Sequence, residues 1–66
     1  MPDINPHPMT YTREFNAYIQ ERGVLGSPSI TLLGTVRADT AYEANRIANE
    51  RWKDRKGFFT INIFVS

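Results

Sequence analysis

The chain has 66 residues, eight basic and seven acidic, for a net charge of +1, and it contains no cysteine. That length suits one small domain burying about 60% of its unfolded surface, too little to wall a deep substrate pocket. Disulfides and thiolate metal sites are excluded, and the charge balance is neither a bulk nucleic-acid signature nor that of an acidic DNA mimic. With no apolar leader and no long apolar run, neither secretion nor membrane contact is expected, and a cytoplasmic location is.

Residues 1–10 hold Pro2, Pro6 and Pro8 between polar residues and read as a flexible N-terminal arm, followed by a single domain over 11–66. His7, the only histidine, has no second ligand or base near it in the sequence. Incidental exposure is its ordinary reading, against proton transfer or metal binding.

A first strand is expected from about Tyr11 to Gln20, where Phe15, Ala17 and Ile19 alternate with Glu14, Asn16, Tyr18 and Gln20. Gly23, Gly26, Ser27 and Pro28 then mark a loop. Val24 and Leu25 at its tip either tuck onto the core or meet a partner. A second strand, about Ser29 to Arg37, places Ile30, Leu32, Gly34 and Val36 on one face and Thr31, Leu33 and Thr35 on the other.

Thr40 to Glu43 reads as a capping box, with the threonine oxygen on an N3 amide and Glu43 reaching back to the cap amide. Asp39 complements the positive end of the helix dipole. Ala41, Ala44, Ile47, Ala48 and Trp52 form one apolar stripe, which predicts about 17 helical residues ended by a left-handed Gly57. The run Arg51-Trp52-Lys53-Asp54-Arg55-Lys56 reads as a solvated helix end, where the dipole favours cations. Its alternative is a patch for phosphates or an acidic protein surface.

In the last strand Phe59, Ile61, Ile63 and Val65 alternate with Phe58, Thr60, Asn62 and Phe64. The fold class expected is α+β, a β-β-α-β chain with a three-stranded antiparallel sheet in the order 2-1-3. One helix would cover a face built from Phe15, Ala17, Ile19, Ile30, Leu32, Val36, Phe59, Ile61 and Ile63. The reverse face has no cover of its own and would display Tyr18, Leu33, Phe58 and Phe64 among polar residues. Converging apolar side chains there point to a contact surface for a protein, a second copy or unstacked bases. The plainer alternatives are a register error or partial cover by the N-terminal arm.

Ala38-Asp39-Thr40-Ala41-Tyr42-Glu43-Ala44-Asn45-Arg46-Ile47-Ala48 has the form A-[DE]-T-x-x-E-A-x-x-[IL]-A. Gly57-Phe58 and an alternating strand follow it, and Phe15-x-Ala17-x-Ile19 stands upstream. In this order, from about Thr12 to Ser66, the chain resembles the small bacterial RNA-polymerase inhibitor of podophages. That resemblance implies a β-β-α-β fold and a phage protein of host takeover that occupies the polymerase DNA channel, in the host cytoplasm, without catalysis. Where that family carries binding arginines on its last strand, this chain has Asn62 and Phe64. Its helix-to-strand connection is one residue longer, and the loop over residues 23–29 is expanded. Contact would then fall to Arg37, Arg51, Arg55 or the open face.

Three functions follow from these readings. The first is a non-enzymatic inhibitor or modulator of a host protein, with RNA polymerase the first candidate. The second is a single-stranded nucleic-acid binder stacking bases on Tyr18, Phe58 and Phe64, less favoured because that face lacks cations. The third is a homodimeric structural module. No enzyme, cofactor or metal is expected: Glu14, Glu21 and Asp54 lack a paired carboxylate, and no serine or lysine has a base beside it.

Overall fold

The computed structural model describes residues 12–23 and 25–66. The arm expected over residues 1–10, with His7, lies outside them, as do Tyr11 and Val24. The elements are β1 (Arg13–Glu21), β2 (Ser29–Ala38), α1 (Ala41–Arg51), a 3-10 turn (Lys53–Arg55) and β3 (Thr60–Val65). The sheet has the order β2-β1-β3, with β1 antiparallel to both neighbours. The fold is α+β, as the alternation of residues and the single helix implied.

Local sequence accounts for the helix start. Thr40 is extended (φ −134°, ψ 160°), and its side-chain oxygen accepts the Glu43 N–H at 3.1 Å. The other half of the expected capping box is absent. The Glu43 carboxylate turns outward to the Arg46 guanidinium, one helical turn on.

The helix is shorter than its apolar stripe predicted. It ends at Arg51, the Trp52 N–H still bonds the Ala48 carbonyl at 3.0 Å, and the chain then tightens into the 3-10 turn. Gly57 is not left-handed; among the described residues only Gly26, in the β1–β2 loop, has a positive φ, 98°. Tightening over residues 53–55 ends the helix without a glycine stop, a short 3-10 turn being a common way for an α-helix to finish. Of the stripe, Ala44 and Ala48 are buried, Ile47 and Trp52 are half-buried, and Ala41 is exposed.

The core lies between α1 and one face of the sheet. Among the described residues it comprises Phe15, Ala17, Ile19, Val36, Ala38, Ala44, Ala48 and Ile63, with Leu33, Ile47, Trp52 and Val65 packed against it. Half of the buried residues are alanines, so α1 lies close to the strands and little large apolar volume is enclosed. Trp52 closes one end over Gly34, whose Cβ position lies only 3.0 Å from the ring carbon Cζ2.

Two bulges decide which side chains share a face. In β2, Ala17 pairs with Gly34 and Tyr18 with Leu32, so Leu33 is the unmatched residue. Beyond it the parity of β2 is reversed. Ile30 and Leu32, expected under the helix, stand on the opposite face opposite Gln20 and Tyr18, 57% and 58% exposed. Leu33, expected on the open face, packs against the core instead.

In β3, Gln20 pairs with Asn62 and Glu21 with Thr60, which leaves Ile61 unmatched. Ile61 and Phe59 are therefore about half exposed rather than covered by α1, and β3 begins only at Thr60. Phe58 precedes the strand in a turn.

A candidate interaction face on the open side of the sheet

Opposite α1, the sheet presents rows of side chains fixed by strand register. One row runs Phe64–Tyr18–Leu32, the next Asn62–Gln20–Ile30, and on the other side Asn16 stands beside Thr35 and Glu14 opposite Arg37. Tyr18 and Phe64 are half-buried and stack on each other, centroids 5.4 Å apart and planes 22° apart. Stacking of this kind is a favoured aromatic geometry, and it ties β1 to β3 through their side chains on this face.

Among the described residues no other element lies on this face, so α1 covers only its reverse. The centre of the face is an aromatic pair with two aliphatic side chains beside it, and its rim is amide and hydroxyl. Its only charged residues among those described on the paired strands, Glu14 and Arg37, oppose each other in register. Such a surface can bury apolar area against a partner and orient it with rim hydrogen bonds. Among the described residues it offers no cationic track for a phosphate backbone.

The structure gathers some of the candidate residues and disperses others. Tyr18, Phe64, Asn62 and Arg37 share the open face. Leu33 is withdrawn to the core. Phe58 is 88% exposed on the turn before β3, edge-on to Phe59 with centroids 5.1 Å apart. Arg51 is held: its Nη1 donates to the Thr35 carbonyl at 3.1 Å, and its guanidinium lies 5.3 Å from the Trp52 ring centroid. Arg55 is exposed on the 3-10 turn. Leu25 at the loop tip is 97% exposed rather than tucked onto the core.

Parity reasoning missed Ile30 and Leu32 as members of the open face. A signal was present: Gly34 inside a strand pattern marks a candidate bulge, and the Leu32-Leu33 doublet breaks strict alternation beside it.

On the helix side, an open groove of about 520 Å³ is lined by Tyr42, Asn45, Arg46, Asn49, Glu50, Lys53 and Lys56. Its charges are largely spent locally. Arg46 pairs with Glu43, and Lys53 pairs with Glu50 at 3.2 Å. The hydrogen bond from Arg46 holds the Glu43 carboxyl below its ordinary value. Asn49 donates from Nδ2 to the carbonyls of Asn45, at 2.8 Å, and Ile63, at 3.0 Å.

Among the described residues, no three histidine, cysteine or acidic side chains are grouped to hold a metal ion. No described helix is long and apolar enough to cross a membrane. Comparison of the chain with protein-family models, curated proteins and solved structures gave no match.

Proposed function

We propose that this chain is a non-enzymatic binding module of the phage host-takeover kind. It docks the open face of its sheet on a host protein, RNA polymerase being the first candidate, in the host cytoplasm. The observation that carries this reading is the stacked Tyr18–Phe64 pair at the centre of a face that no other described element covers, with Leu32 and Ile30 beside it. Aromatic anchors ringed by polar groups are the usual energetic centre of a protein interface. The near-neutral face favours a protein over nucleic acid, whose phosphates demand several cations. The resemblance to the podophage polymerase inhibitors supplies the choice of target.

Affinity capture from bacterial lysate, with the wild-type chain beside a Tyr18→Ala, Phe64→Ala double variant, tests this reading. The wild type is expected to retain polymerase subunits and the variant to lose them. Equal capture by both removes the open face as the interface, and capture of no polymerase subunit removes the target. Steeply salt-sensitive binding of fluorescent single strands would instead establish the nucleic-acid function.

A further inference from the structure

The outer edge of β2 is unevenly protected. Asn16 and Ser66 exchange both main-chain hydrogen bonds at 3.0 Å, so even-numbered residues of β1 turn their N–H and C=O toward β3. The odd-numbered residues serve β2. By the observed register Ser29 and Thr31 point back at β1, while Ile30 and Leu32 direct their main-chain groups out of the sheet. Thr35 points outward too, and there Arg51 reaches over to take its carbonyl. On β3 the Ile63 carbonyl, outward by the same alternation, is taken by Asn49. No side chain of the described residues does this for Ile30 or Leu32.

The segment around them is also bare. Ser29, Ile30, Thr31 and Leu32 are all exposed, so this half of β2 projects past the helix on both faces. From Ser29 to Val36 the chain carries no charge, and a short, chargeless, β-prone edge is what strand pairing selects.

We propose that two copies of this chain join edge to edge through the Ser29–Leu33 half of β2. The strands run antiparallel about a two-fold axis at Thr31 and make one continuous six-stranded sheet. This register is self-complementary. Ile30 lies opposite Leu32 of the second copy, and each such pair brings together outward-pointing main-chain groups, so both pairs are hydrogen-bonded ones. Thr31 meets its own copy in the intervening non-hydrogen-bonded position, a favourable like pair. Pro28, without an N–H, ends the pairing on one side, and the Leu33 bulge ends it on the other. On the open face the row Phe64–Tyr18–Leu32 continues into Ile30 and Gln20 of the second copy, doubling the apolar surface. This inference does not depend on what the open face binds, and its test needs no partner.

The absence of native cysteine makes a single introduced one a clean reporter of register. In a non-hydrogen-bonded antiparallel pair the Cα atoms lie about 4.5 Å apart, inside the range a disulfide spans. Full-length Thr31→Cys is expected to cross-link to a dimer under mild oxidation, with Thr35→Cys and Tyr42→Cys remaining largely monomeric. Sedimentation of the wild type from micromolar to millimolar concentration is expected to move toward twice the 7.6 kDa chain mass. Ile30→Pro removes a donor that serves only the second copy and leaves the β1–β2 ladder whole. It is expected to weaken association on the order of tenfold while retaining the native circular dichroism. A wild type that stays monomeric throughout, or a Thr31→Cys no quicker to cross-link than Tyr42→Cys, overturns the proposal. A dimer that cross-links through Tyr18→Cys instead also overturns it, by placing the contact on the open face.

Discussion

A side chain at position 34 would meet the Trp52 ring, with Cζ2 at 3.0 Å and Cη2 at 3.3 Å from the Cβ position. Gly34→Val must push that ring outward, and overpacking of this kind costs about 1–3 kcal/mol. Trp52 is the only tryptophan, so the same variant is expected to shift its fluorescence toward that of an exposed indole during denaturant titration. At the other end of α1, Thr40→Ala removes the oxygen that accepts the Glu43 amide. Its expected cost is about 1 kcal/mol, read as a lowered Tm. The Glu43 carboxyl titrates below its ordinary value of 4.5 because Arg46 donates to it. The stability it contributes is therefore present above that ordinary value and is lost as pH falls through the lower native one. Glu43→Gln is expected to unfold slightly sooner than wild type near neutrality and together with it in acid, by thermal melts across that range. The threonine half of the cap was legible in four residues of sequence. The partner of Glu43 was not, because cap amide and Arg46 are both within its reach and only the folded geometry chooses.

At the scale of elements, the sheet is held by a thin core in which Ile19, Val36 and Ile63 are the largest fully buried side chains. Ile63→Ala is expected to cost about 2–5 kcal/mol, comparable with the whole stability of a domain this small, so that chemical denaturation shows little native state left. The helix also guards the sheet margins. Asn49 lies on the β3 side and holds the Ile63 carbonyl, while Arg51 reaches the β2 side and holds that of Thr35. Asn49→Ala removes this cover and is expected to lower stability by about 1 kcal/mol and speed amide exchange along β3. Element order, strand pairing and the helix stripe were readable because period 2 and period 3.6 place apolar residues differently. Helix length was not. Trp52 anchors at the end of the stripe, and the chain beyond it must turn at once to reach β3.

For the molecule as a whole, a single helix over three strands leaves one face without cover among the described residues, and that face holds the proposed docking surface. Leu32→Lys is expected to change folding stability by no more than about 0.5 kcal/mol, since the side chain is already exposed, yet to abolish partner capture from lysate. The alternation of Phe15, Ala17 and Ile19 and of the last strand, together with the Thr40 cap, determined by themselves that this chain folds β-β-α-β with a 2-1-3 sheet. Tyr18, Asn62 and Phe64 were legible as neighbours on the open face because no bulge separates them. Leu33, Ile30 and Leu32 were not: a single unmatched residue reverses the parity of everything beyond it, and all three are apolar enough for either face. Only the packed structure decided which of them meets the core: Gly34 keeps the face of Val36 beneath Trp52, and the unmatched Leu33 next to it turns inward and sends Leu32 and Ile30 to the other face.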